Sequence, residues 1–498
     1  MKSDEAAQSA DVHGREAESW WHFLALLLLW LPSAVWLGLV FRPVVSVPLV
    51  LAVGWVLAQV LPDRAGARPF RAQALRTLLP AGIFASCWSA LTGLLGVFHL
   101  NRDWYWRLEV LQQFSQADWA SYHDGPRHFL LRFPGAYYAL VAPFCAHLSM
   151  GAARALLWAC TALVASCALG ALFQAGLRWM ALFLVAIFAT NGMDVLGELA
   201  VNSAFPAPGA HIEWWSGQQY SGLTTGMIWV PNHLLPALLF VSTLPLLGGS
   251  VTHERLTIVA LAAAGTVLWS PLVFAGAVPI VVGLGLSARG ELRASRIPAR
   301  RLASLGAPLA VLLIAAILYV TYLTGKTPRG WALSFCREGR PLCISKMVAF
   351  YALEAVPLAV PCLLLPQRGI GLSCVFTLLV LPQLFFGPAN DLEMRASFPA
   401  IVVSAFAVCL FVEGHARHWS AVAALLVVVL EGYGAYSEVT RALEGFDQPP
   451  WQPAGLGDAF RAHFPKDVDG YAPHYMIPFA DACRGALGGV LRGCDDPG

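Results

Sequence analysis

Charged residues are scarce in this chain: Asp, Glu, Lys and Arg make up 12% of its 498 residues, against about 25% in soluble proteins. Hydrophobic residues reach 57% and the mean hydropathy is +0.62, so a water-solvated globular surface of this size is excluded. An excess of one charge sign is missing too. The formal charge of +2 argues against a basic nucleic-acid-binding surface, and no recognition helix, aromatic RNA platform or zinc-finger spacing occurs. The alternating pattern of a membrane barrel is absent, which leaves helices as the spanning elements. A basic, cleavable start is also lacking. Residues 1–19 carry Asp4, Glu5, Asp11, Glu16 and Glu18 against Lys2 and Arg15, and the apolar run 21–41 is too long for a secretory signal and offers no cleavage site. It reads as a retained first helix. Internal repeats, heptads and low-complexity tracts are absent.

What remains is a series of apolar runs near the length that crosses a bilayer as a helix, about 20 residues. They predict spans near 21–41, 44–62, 77–99, 128–150, 153–175, 178–191, 227–247, 256–269, 272–287, 304–324, 347–365, 370–387, 396–412 and 419–436. The expected fold is all-α, a polytopic bundle of about 13–14 membrane segments over 21–436. A cytoplasmic segment 1–20 precedes it and a short external tail 437–498 follows. Two loops are basic, 63–76 with Arg64, Arg68, Arg71 and Arg76, and 287–301 with Arg289, Arg293, Arg296, Arg300 and Arg301. The excess of Lys and Arg on cytoplasmic loops places both inside. Counting crossings from them puts 100–127, 191–226, 325–346 and 387–395 outside. The two counts differ by one crossing between 128 and 190, so one segment there, 128–150 or 178–191, does not cross fully.

Most of the eleven cysteines lie inside apolar runs. Cys336 and Cys343 share one loop and Cys483 and Cys494 share the tail, both in segments placed outside, where disulfides persist. Two disulfides are expected, Cys336–Cys343 and Cys483–Cys494.

Three polar segments carry candidate chemistry. In 100–127, Asp103 follows an apolar run, and Trp104, Leu108, Leu111 and Phe114 recur at helical spacing. That predicts an amphipathic helix in the interface with its Trp residues at headgroup depth. A partly desolvated Asp103 there can act as a general base on a hydroxyl; the competing reading is a pair with Arg102 or Arg107. The second segment, 191–232, holds Asp194 and Glu198 on one helical face, then His211, Glu213, Trp214, Gln218 and Tyr220, with His233 just beyond. Aromatic faces stack on sugar rings and carboxylates take their hydroxyls; the competing reading is an aromatic belt with incidental polar residues. Its His and Glu residues match no zinc spacing. The third runs through Asn390, Asp391, Glu393 and Arg395 at the start of a helix. There Arg395 either neutralises Asp391 or holds a phosphate with free backbone N–H groups.

Taken together these segments resemble the GT-C superfamily of membrane glycosyltransferases, which use polyprenyl-phosphate-linked sugars. Asp103 stands where that superfamily places an Asp in its first long external loop. Tyr137-Tyr138 enters a helix after Pro-Gly-Ala, Gly151 to Arg154 and Arg178 follow, and Asp194 fits the second external acid. The strings HIEWW, QYSGLTTGMIWVPNH, LWSP and NDLEMRASFPA look more closely like a bacterial family of multi-pass membrane proteins. The chain lacks a WWDYG-type signature and an adjacent acidic pair at Asp103, which leaves the acceptor and a divalent cation such as Mg or Mn open. The resemblance implies inverting transfer from a polyprenyl-phosphate sugar donor to a cell-envelope glycan or lipid acceptor, on the external face of the inner membrane, among membrane lipids and without nucleic acid. It implies Asp103 as the base, Arg395 and His233 at the donor phosphate, and Asp194, His211, Glu213, Trp214, Tyr220 and Asp391 about the sugar and acceptor. Two rival classes are a lipid-linked saccharide transporter or flippase, which calls for polar residues spread through its helices, and a membrane O-acyltransferase, for which His233 is the one suitable histidine.

Overall fold

In hydrocarbon only hydrogen bonds within a segment satisfy the backbone, so uninterrupted apolar runs fold as helices. The computed structural model describes residues 2–62, 67–116, 121–124, 127–131, 133–248, 250–294, 332–333, 341–386, 390–445, 458, 476–484, 488–492 and 494. The expected span 304–324, the Cys336–Cys343 pair, loop residues Asp118 and Trp119, Arg64, Arg296, Arg300 and Arg301, and most of the tail lie outside them.

The order is α1 (Lys2–Val40), α2 (Pro43–Gln59), α3 (Ala67–Ala90), α4 (Arg102–Gln116), β1 (Ser121–Asp124), β2 (Arg127–Leu131), the single turns α5 (Ala136–Ala139) and α6 (Ala142–Cys145), α7 (Met150–Gln174), α8 (Met180–Ala189), α9 (Asp194–Asn202), α10 (Leu223–Trp229), α11 (Pro231–Val241), α12 (His253–Gly265), α13 (Pro271–Ser287) and α14 (Arg289–Ala294). After β3 (Ala332–Leu333), α15 (Pro341–Phe350) runs through a π-helical turn, Tyr351–Ala355, into α16 (Val356–Cys362). Then come α17 (Arg368–Val380), β4 (Leu384–Phe385), α18 (Asp391–Ala396), α19 (Phe398–Gly414), α20 (Trp419–Glu444), β5 (Met476–Pro478) and α21 (Phe479–Arg484).

Six described helical segments are long and apolar enough to cross a membrane: Ser19–Val40, Met150–Gln174, Met180–Asn202, Ile344–Cys362, Asp391–Gly414 and Trp419–Glu444. Four shorter apolar helices accompany them, Pro43–Gln59, Pro231–Val241, Pro271–Ser287 and Arg368–Gln383. Large apolar side chains such as Leu51, Leu75, Leu79, Ile83, Leu163, Val282, Phe376, Leu426 and Val429 point outward, the belt that a membrane protein offers to lipid. The expected 13–14 segments are not all of this kind. Helix α3 carries Arg68, Arg71 and Arg76 in its first half and α12 spans only 13 residues.

Segment 128–150 forms no span. Strand β2 takes its first part, and Pro134-Gly135 and Pro143 cut the rest into single turns. Of the two segments that the counts left open between 128 and 190, 128–150 is the one with no continuous helix. The expected interfacial helix also differs. Helix α4 forms as the spacing predicts, but Trp104, Leu108, Leu111 and Phe114 are buried in the core rather than set at headgroup depth. Helices α6 and α7 pack on α4, Trp104 meets Tyr137 of α5 and Phe114 meets Trp36 of α1.

Long-range pairing defines the two ends of the bundle. At one end β2 pairs with β1 and with β5 of the tail, Phe41 bridges Leu491, and His99 N donates to the Ala442 carbonyl at 2.9 Å. Cys483 and Cys494 are disulfide-bonded beside this sheet. At the other end Gln73 pairs with Gln174, Glu291 accepts from Val251 N at 2.7 Å, and Glu413 accepts from Arg178 N at 2.9 Å. Helices meet closely where small residues allow it, since lipid supplies no hydrophobic drive between them. A Cβ on Gly369 would strike Ser287 and the Gly283 backbone across the α13–α17 contact.

Candidate functional site

Three polar clusters adjoin the end of the bundle that carries the small sheet. The first forms around the break between α10 and α11. Pro231 cannot donate to the preceding turn, so nearby carbonyls lose their intrahelical partners. Residues at the start of α4 take them up. Asn101 Nδ2 and Trp104 Nε1 both donate to the Ile228 carbonyl, at 2.8 and 2.9 Å, and Arg107 donates to that of Trp229. The Arg107 guanidinium lies over the Trp104 and Trp106 rings, 5.4 and 5.2 Å from their centroids, and 3.5 Å from Asp103 Oδ2. Arg107 is 4% exposed and Asp103 22%, so the carboxylate is the reachable member. His233, in the first turn of α11, shares a 2.6 Å hydrogen bond with Ser270, which caps α13. The charges of Arg395 and Arg107 both act on His233, and those of Arg107 and Asp103 act on Tyr138. Asp103, His233 and Arg395, expected from far apart in the chain, therefore share one neighbourhood. Arg395 is also 3.2 Å from Asp391. Three buried polar atoms here have no hydrogen-bond partner among the described residues: Tyr138 Oη, Arg107 Nε and Asn232 Oδ1.

The second cluster joins the 203–222 segment to α20. His211 Nδ1 lies 3.1 Å from Glu438 Oε1 and 3.0 Å from Arg441 Nη1. A protonated ring donates to Glu438, and a bare Nδ1 accepts from Arg441. Glu438 also accepts from Trp229 Nε1 at 2.8 Å and from Arg441 at 2.7 Å. Burial disfavours charge on His211, but the Glu438 hydrogen bond and the Glu213 and Glu438 charges outweigh it, and its pKa is raised above the usual value. Glu213 accepts from Gly222 N at 3.1 Å and from Gln219 at 2.5 Å. Burial raises its pKa as well, against the lowering charge of His211. Trp214 is 58% exposed with its ring 6.1 Å from His211, a face open to a flat ligand. Tyr220 points the other way. It is buried against Phe350 and its hydroxyl donates to the Leu378 carbonyl.

The third cluster lies deeper. Asn191 Nδ2 donates to Asp194 Oδ2 at 3.1 Å, and Asp194 adjoins Glu354 of the π-helical turn. Glu431 acts on Glu354, and Glu393, held by Asn390 at 2.6 Å, stands near it. Glu354, Glu431 and Glu438 were not singled out from sequence, and Glu393 was named within its segment without a role. The available signal was a lone acid inside or beside an apolar run, which is costly in a membrane unless used.

Among the described residues no three His, Cys, Asp or Glu side chains converge to hold a metal ion. The described acidic groups therefore offer no three-ligand site for a resident divalent cation. Comparison of the chain with protein-family models, curated proteins and solved structures gives no match.

Proposed function

We propose that the chain is an inverting glycosyltransferase that takes a sugar from a polyprenyl-phosphate donor and passes it to a cell-envelope glycan or lipid on the external face of the inner membrane. The observation that carries the reading is the gathering of a reachable carboxylate, Asp103, with Arg107, His233 and Arg395 around three unpartnered buried polar atoms. A phosphate and a sugar hydroxyl supply what those atoms lack. In this reading Asp103 takes the proton from the acceptor hydroxyl, whose oxygen attacks the anomeric carbon. The bond to the phosphate oxygen breaks and the lipid phosphate leaves with the electron pair. Arg395 and His233 stand where that negative charge develops, Asp391 orients Arg395, and His211, Glu213 and the open face of Trp214 receive the sugar or acceptor.

The test presents purified protein in vesicles with a panel of labelled polyprenyl-phosphate sugars and envelope acceptors. Sugar transfer with release of polyprenyl phosphate supports the reading. A second reading, a transporter of lipid-linked saccharide, draws on the acids set at interrupted helices inside the bundle. Movement of intact donor between leaflets without transfer would favour it and overturn the first.

A further inference from the structure

We propose that Asp194 and Glu354 form a proton-exchange site within the membrane domain, two carboxyl groups holding one proton between them. The inference does not rest on the glycosyl-transfer reading, which gives these two acids no step; the transporter reading draws on the same pair.

The apolar segment Met180–Asn202 is interrupted. Helix α8 ends at Ala189, α9 begins at Asp194, and the stretch between is unwound, with the Thr190 carbonyl accepting from Leu223 N at 2.9 Å. Opposite it, Glu354 stands in the π-helical turn of the apolar segment Ile344–Cys362. Such turns recur at functional sites, and unwound backbone at membrane depth persists only where it is buried in protein or lines a cavity. The two elements meet so closely that a Cβ on Gly192, whose φ is +75°, would strike the Glu354 carboxylate.

Glu354 is fully buried, and with both acids ionised the Trp215 indole alone cannot supply a hydrogen-bond donor to each of its two oxygens. A proton on either acid supplies the missing donor across the pair, the contact that the two side chains are placed to make. Trp215 Nε1, also buried, faces both carboxyls as a hydrogen-bond donor. The charged groups acting on the pair are themselves acids: Glu213 on Asp194, and Glu431 and Glu213 on Glu354. Glu393 and Tyr220 also stand against Glu354. Like charges so enclosed cannot both ionise at modest cost. Among the described residues no three metal-ligating side chains converge on the pair. Glu213 links Asp194 toward His211, which is 30% exposed, and so offers the proton a route to the open end of the bundle.

Infrared difference spectroscopy of the purified full-length protein at neutral pH tests this directly. Asp194→Asn and Glu354→Gln should each remove one protonated-carboxyl band, and the same one, without loss of an ionised carboxylate. The remaining acid in each variant carries the charge. The wild-type band should shift in deuterated water and disappear as pH is raised. Because both variants predict one result, either carries the test if the other fails to fold. Loss of a carboxylate band in either variant, no change in the protonated region, or disappearance of the band on adding sodium or magnesium overturns the proposal.

Discussion

Replacing Asp103 by Asn separates a chemical role from a structural one, because the two effects have different sizes. Asp103 lies in the first turn of α4, where a carboxylate gains about 0.3–1 kcal/mol from the helix dipole. Its partner Arg107 is buried. An exposed pair would lose about 0–1 kcal/mol on removal of one charge, and a fully buried pair about 3–5 kcal/mol. Arg107 retains the Trp229 carbonyl and two indole faces, which keeps its cation partly satisfied. The stability cost should therefore lie near the lower limit, about 1–2 kcal/mol. Loss of a general base lowers turnover by about 10²–10⁴, equivalent to about 3–5 kcal/mol in the barrier. The assay is single-turnover sugar transfer by wild type and Asp103→Asn, with thermal unfolding measured in parallel. Turnover at the wild-type rate with a donor that wild type uses would refute the base. A loss of activity that merely tracks unfolding would reduce Asp103 to the partner of Arg107.

Arg395→Ala should weaken donor binding by about tenfold to a hundredfold, the scale of a charge-assisted hydrogen bond of about 1.5–3 kcal/mol, and lower the rate as well. Equilibrium binding that matches wild type would remove Arg395 from the phosphate. The Cys483–Cys494 bond closes a loop over a separation of 11 residues, worth about 3 kcal/mol by chain entropy. Its removal should speed amide exchange in β5 while leaving α7 and α19 protected; equal exchange with and without the bond would show that the sheet holds the tail unaided. His211 has a raised pKa, so its protonated form adds stability that is fully present below about pH 6.5 and is lost as pH rises through the raised value. His211→Gln should flatten the dependence of Tm on pH in that window, and an unchanged profile would place the titration elsewhere.

Hydropathy, scarce charge and helical spacing sufficed to determine a membrane protein built of helices, because burial in hydrocarbon is a local demand that each segment meets alone. The Cys483–Cys494 pair and helix α4 were legible for similar reasons of position and period. Segment 128–150 misled, since an apolar run interrupted by Pro134 and Pro143 carries the hydropathy of a span without its continuous hydrogen bonding. The burial of Trp104 was also hidden, because an amphipathic face does not reveal whether lipid headgroups or other helices will cover it. Only the tertiary structure decided which polar residues meet. Asp103 reaches Arg107 within one helix, yet Arg107 is brought to Trp229, and His233 to Ser270 and Arg395, by packing across the bundle. Asp194 meets Glu354 across 160 residues of chain. No local pattern encodes that encounter, which depends on a helix break and a π-helical turn arriving at the same depth.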